Sequence, residues 1–250
     1  MTLIERFKTV RQRTEELCQP LKTEDYVPQP DLFVSPPKWH LAHTTWFFEE
    51  MILAENLQGY SRFHEQFSFL FNSYYNNVGN RTYRAHRGLM TRPTVNEVYE
   101  YRAFVDDAMN ALLKDCADPE ILDRVELGLN HEQQHQELLM TDLKYTLSLN
   151  PLHPVYSENV NWVNDENQFS GFIRIEEGVY EIGHNGQGFC FDNELARHKV
   201  FLQEFEIAIE LVTNQEYVEF IADDGYENFN LWLDEGWSWI QENNISSPLY

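Results

Sequence analysis

Residues 119–149 read PEILDRVELGLNHEQQHQELLMTDLKYTLSL. Asp118 ahead of Pro119 pairs a capping side chain with a proline whose fixed φ suits the first helical position, and Asn150 with Pro151 stops the run. The stretch is predicted as one long helix, and a helix of that length draws its stability from neighbours that cover its apolar face. Three lie upstream. Leu3, Phe7, Val10, Thr14 and Leu17 recur at helical spacing until Pro20. Ser35 before Pro36 and Pro37 predicts an N-cap for a helix that carries KWHLAHTTWFFEEMILAEN over residues 38–56. Thr94 and Glu97 form a capping box, TVNE, for a helix reaching about Lys114. Four long helices predict a bundle over residues 1–150. Between the second and third, residues 58–93 hold Gly, Asn and many aromatic residues without a period, and excursions of that length are seldom kept without a function.

Beyond Pro151 the texture changes. Short β-prone pieces, FIRI at 172–175 and VFLQEFEIAI at 200–209, are separated by Gly and Asn, with a helix expected after Thr213. The fold class is therefore a helical bundle, a linker over 151–170, and a mixed α/β region over 171–250. That last region breaks off at SSPLY with no stop signal of its own, which predicts a C-terminally truncated domain.

Forty-one Asp and Glu against eighteen Lys and Arg give a formal net charge of −23, a field that repels phosphate backbones and anionic bilayers. Nucleic acid and membrane are excluded as partners on that ground. The N-terminal MTLIERFKTVRQRTEEL has no apolar core or cleavage site, and no run approaches a membrane span. Cys18, Cys116 and Cys190 are odd in number, far apart and without a CxxC pair, so neither a disulfide framework nor a thiolate zinc site is expected, and a reducing cytoplasm fits.

The chemistry concentrates in two places. His131 and His135 are four residues apart, one turn along and about 40° around the axis from each other, so two imidazoles share one helix face. Gln134, Leu138, Asp142 and Tyr145 lie near the same line, a stripe too polar for an ordinary core face. WHLAH places His40 and His43 on the second helix, and facing helices of a bundle bring such side chains together around a metal. Either histidine completes a three-imidazole set by spacing alone; Trp39 and Trp46 beside them read as core. HEQQH also matches HExxH, in which Glu132 would be the base of a zinc peptidase, but the HxxGxxH continuation is absent. The second place is VGNRTYRAHRGLMTRPT, residues 78–94, where Arg81, Arg84, Arg87 and Arg92 crowd together in an acidic chain. The rigid guanidinium fork matches carboxylates, so the cluster reads as an anchor for a carboxylate-bearing substrate, against the plainer reading of a solvated loop paired with the chain's own acids.

SPPKWHLAHTTWFFEE (35–50), YNNVGNRTYRAHRGLMTRPTVNEVYEYR (75–102) and NHEQQHQELLMTD (130–142) together resemble the sulfoxide synthases of ergothioneine biosynthesis. GFCFDNELARHKVFLQEFEIA (188–208) and VTNQEYVEFIADDGY (212–226) resemble the start of that family's second domain. The resemblance implies a DinB-like four-helix bundle followed by the start of a formylglycine-generating-enzyme-like (C-type-lectin-like) domain. It implies a mononuclear non-haem Fe(II) held by His43, His131 and His135, which selects His43 over His40. It implies dioxygen-dependent C–S bond formation between hercynine and cysteine or γ-glutamylcysteine, with Arg84 and Arg87 holding the thiol's carboxylates. The family's second domain is longer than residues 171–250 and supplies a catalytic tyrosine that has no counterpart here. The competing readings are a zinc-dependent thiol transferase on a DinB-like bundle and an inactive metal-binding fragment.

Overall fold

The structure, a computed structural model, describes residues 1–73, 82–158 and 171–248, and it divides into two compact units, Met1–Val160 and Asn161–Tyr250. In the first unit, α1 (Leu3–Cys18) opens on a capping box between Thr2 and Glu5. α2 (Pro37–Phe48) runs on through a π-helical turn, Glu49–Leu53, and a last α turn, Ala54–Asn56. α3 (Val95–Asp115) starts at the predicted Thr94–Glu97 capping box, and α4 (Pro119–Ser148) at the Asp118 cap. α1 packs on α4, and α2 packs on both α3 and α4.

α2 is the centre of the bundle. Every residue from Pro37 to Phe48 is buried, polar ones included, so this helix has no solvent face at all. Leu41, Trp46, Phe47 and Phe48 meet Phe7, Tyr101, Met109 and Leu129 in one continuous core. A Cβ on Gly128 of α4 would come within 2.7 Å of Phe48 Cε1 and 2.8 Å of Phe47 Cε1. Glycine there lets the two phenylalanine rings lie directly against the α4 backbone, three residues ahead of His131.

Two local expectations are corrected. Ser35 is not the N-cap of α2: Pro36 holds that position without a side-chain cap. The serine's groups are taken by distant partners instead, its N–H by Asp142 Oδ2 (2.8 Å) and its Oγ by the Arg87 guanidinium (2.9 Å). The second helix also does not run as uninterrupted α-helix to residue 56. Its π turn begins at Glu49, a fully buried carboxylate that accepts from the Tyr101 hydroxyl (2.6 Å), the Tyr60 hydroxyl (2.9 Å) and the Phe63 amide (2.9 Å). Three such donors compensate a buried charge that local sequence does not announce. The excursion after α2 contains a short helix, Phe67–Leu70, and a 3-10 segment, Arg84–Leu89.

In the second unit β1 (Phe172–Ile175) pairs antiparallel with β4 (Phe205–Ala208), and β2 (Gly178–Ile182) with β3 (His198–Leu202). Their registers set Phe172 opposite Ala208 and Ile182 opposite His198. The VFLQEFEIAI stretch is thus split between two strands that belong to different two-stranded sheets. α5 (Asn214–Ala222) is the helix expected after Thr213, which caps it, and α6 (Asp234–Asn243) closes on Asn244 in the left-handed conformation. Among the described residues no helix is long and apolar enough to cross a membrane.

Candidate metal centre

α2 and α4 face each other across the bundle, and their histidines meet there. His43, His131 and His135 each bring one ring nitrogen within 4.8 Å of the other two. Two flat neighbours, Trp39 and Trp46, stack on His43 with ring centroids 4.4 Å and 5.6 Å away and interplanar angles of 15° and 13°. The Phe71 carbonyl accepts from His43 Nδ1 at 2.6 Å, which fixes the proton on that nitrogen and leaves Nε2 with its lone pair. His131 Nδ1 is buried without a hydrogen-bond partner among the described residues, the condition that a coordinated ion or a water would relieve.

Burial keeps these rings neutral. It pushes His131 down to about 4, and drives His43 and His135 well below the usual histidine range with neighbouring histidines adding to the effect. His40 is also lowered by burial, against the opposing pull of Asp142. Lone pairs are therefore available at neutral pH, as a metal ligand requires. Three neutral imidazoles with an open side suit iron or zinc.

The open side is a cavity of about 300 Å³ that the histidines share with Phe33, Ser35, Arg84, Arg87, Gln134 and Asp142. Arg87 is buried, with its guanidinium 3.4 Å from the Trp39 ring centroid and donating to Ser35 Oγ (2.9 Å) and Ser73 Oγ (3.1 Å). Arg84 is exposed and donates to the Phe33 carbonyl at 2.6 Å. Gln29 fastens this turn, donating to the Arg84 carbonyl (2.9 Å) and accepting from the Gly88 amide (2.7 Å). Lys38 ties the far end to α2 through the Met90 and Pro93 carbonyls at 2.6 and 2.9 Å. Arg92 instead reaches the neighbouring Thr91 carbonyl, and Arg81 lies outside the described residues.

Glu132 points elsewhere. Its carboxylate is fully buried and bound by Arg11 (2.9 Å), Arg102 (3.1 Å) and the Thr14 hydroxyl (2.6 Å). Burial alone would push its carboxyl up; the two guanidiniums and the hydroxyl reverse that and hold it below the usual carboxylate range. A carboxylate so engaged is no general base, and the HExxH spacing here carries no peptidase chemistry. Sequence reasoning missed this network. Its one local signal is an arginine, Arg11 and again Arg102, sitting where helical periodicity calls for a core residue.

The model of the DinB superfamily matches residues 6–139, more than half of the chain. The chain belongs to the DinB superfamily. A second model, the sulfatase-modifying factor enzyme 1-like domain, matches residues 158–248. Among curated proteins this DinB chain is similar to the hercynine oxygenase of Mycolicibacterium smegmatis, 28% identical over 152 residues that make up 60% of this chain and 34% of the relative. It is also similar to the hercynine oxygenase of Mycolicibacterium thermoresistibile, 27% identical over 154 residues, 60% of this chain and 32% of the relative. The hercynine oxygenase of Mycobacterium tuberculosis matches at 26% over 122 residues, 49% of this chain and 28% of the relative. The chain spans about a third of the length of the curated relatives it matches.

Proposed function

We propose that this chain holds ferrous iron between His43, His131 and His135 and takes part in dioxygen-dependent C–S bond formation between hercynine and a cysteine-type thiol. One observation carries the reading: three neutral imidazoles, that of His43 buried and those of His131 and His135 half-buried, line the same cavity as two arginines. The names of the relatives supply the hercynine, and the two matched families in the same order support the assignment. The reaction balances as thiol plus C2–H of the imidazole plus O2 giving the sulfoxide plus water.

Iron held there by His43, His131 and His135 would supply the redox chemistry. The chain's own residues bind and orient. Arg87, held flat on Trp39 by two serine hydroxyls, presents a fixed fork to a substrate carboxylate, and Arg84 stands at the exposed end of the same turn. Trp39 and Trp46 hold the His43 ring between them. The bundle buries His43 and half-buries His131 and His135, so a thiol delivered there meets neutral, partly desolvated imidazoles.

Anaerobic titration of the purified chain with ferrous iron, followed by nitric oxide and electron paramagnetic resonance, tests the centre. One ion per chain with a high-spin iron–nitrosyl signal, absent from His135→Ala, is expected. Oxygen uptake by the iron-loaded protein is then expected to need hercynine and thiol together. Uptake indifferent to hercynine sinks the substrate assignment, and retention of zinc with no iron moves the chain to thiol-transferase chemistry.

A further inference from the structure

His40 lies one turn before His43 on α2, is 2% exposed, and is bound at both ring nitrogens. Its Nε2 sits 3.0 Å from Asp142 Oδ2. A carboxylate only accepts, so that proton belongs to His40. Its Nδ1 sits 2.9 Å from Nδ1 of His135. A neutral imidazole carries a single N–H, so His40 Nδ1 is the acceptor and His135 Nδ1 must donate. The remaining lone pair of His135 is then on Nε2.

We infer that Asp142 and His40 form a positioning relay that fixes the tautomer and ring orientation of His135, so that Nε2 is the nitrogen this residue presents to a metal. The inference rests on the reading of His43, His131 and His135 as ligands. For His43 the same task falls to a backbone carbonyl, that of Phe71. The relay uses helical spacing economically, because Asp142 follows His135 by seven residues, two turns along one face of α4, and His40 bridges the gap from the facing helix. Asp142 is itself anchored: Oδ2 also accepts from the Ser35 amide at 2.8 Å, and the Ser35 hydroxyl accepts from Arg87 at 2.9 Å. All five residues line one cavity, so a single hydrogen-bonded string joins the guanidinium proposed for the substrate to a ligand proposed for the metal. Partners of this kind orient a ligand and raise its basicity.

The test starts on the metal-free wild-type chain. Nitrogen-15 labelling of histidine with long-range proton–nitrogen correlation at neutral pH reads each ring's tautomer, with His135→Gln assigning the resonance. His135 is expected in the Nδ1–H form, and an Nε2–H form overturns the relay without recourse to any variant. Ferrous affinity is then compared across wild type, His40→Phe and Asp142→Asn, with circular dichroism confirming the fold of each. His40→Phe is expected to leave His135 as a tautomer mixture and to weaken iron binding by roughly ten- to a hundredfold. Asp142→Asn keeps an acceptor oxygen towards His40 and Ser35, so its loss is expected to be smaller. Wild-type affinity and tautomer in His40→Phe overturn the relay alone. A wild-type chain that binds no transition metal overturns the metal-centre reading, and the relay with it.

Discussion

Glu132 follows His131 on α4, so its side chain leaves the helix about 100° around the axis from that histidine. In this bundle that direction leads to Arg11 and Arg102 and away from the shared cavity. The residue therefore acts on stability, and Glu132→Gln is expected to cost about 3–5 kcal/mol by leaving two buried guanidiniums short of negative charge. Urea unfolding of the metal-free protein measures it; unchanged stability with lost activity would restore Glu132 to a chemical role. Arg87 makes the opposite case. It sits on Trp39 between two serine hydroxyls, and Arg87→Lys loses the flat fork while keeping the charge. On the proposed role of Arg87 towards a thiol's carboxylate, loss of that charged hydrogen bond predicts a roughly ten- to hundredfold rise in KM for the thiol. Ferrous stoichiometry is expected to stay at one, which separates a substrate contact from a collapsed site.

The approach of α2 to α4 depends on the absence of a side chain at Gly128. Alanine there brings a Cβ within 2.8 Å of two phenylalanine rings that are themselves fully enclosed, so the rings have nowhere to retreat. Overpacking of this kind costs about 1–3 kcal/mol and exceeds the roughly 1 kcal/mol that alanine gains in helix propensity over glycine. Gly128→Ala is thus expected to be destabilised by about 1 kcal/mol net, read as a lowered urea midpoint. Since the Phe47 ring packs on His131 with centroids 5.1 Å apart, weaker iron binding should accompany it. A stabilised variant would show that α2 and α4 separate easily. The same two helices show what a sequence discloses. α1 was legible from the helical spacing of Leu3, Phe7, Val10, Thr14 and Leu17, and α3 and α4 because Thr94 and Asp118 are caps, and a cap is settled by residues two or three positions away. Ser35 carried the same local signal, yet its groups go to Asp142 and Arg87, far along the chain, where a capping rule does not look. The π turn at Glu49 depends on Tyr60, Phe63 and Tyr101 in the same way. Spacing put His131 and His135 on one face of α4 and two candidates on α2 but left His40 and His43 equivalent; the cross-helix hydrogen bond to Asp142 distinguishes them.

At the scale of the whole molecule, a net charge of −23 and a cluster of neutral, buried to half-buried histidines respond to acid in opposite directions. Protonating carboxylates relieves self-repulsion, but a carboxylate in water takes up its proton near 4, below the histidine range. The histidines respond earlier. His131 is lowered to about 4 by burial, and His43, His135 and His40 are lowered as well, whereas the unfolded chain takes up protons on all of them near pH 6.5. Between those values the unfolded state binds more protons, so stability rises with pH there. The contribution of neutral burial is complete above about 6.5 and is lost as pH falls towards 4, on the order of 3 kcal/mol from His131 alone. The urea midpoint of the metal-free protein is accordingly expected to drop between pH 7.5 and 5.5. Added salt, which screens the acidic surface, should raise the midpoint at both pH values without closing the difference between them. If ferrous iron binds the deprotonated rings as proposed, it should deepen the pH dependence, because its stabilisation would be present at 7.5 and fade as protons compete for the same nitrogens. A midpoint that rises from 7.5 to 5.5 would mean that carboxylate repulsion governs the acid response and that the histidine cluster is less enclosed than its packing indicates.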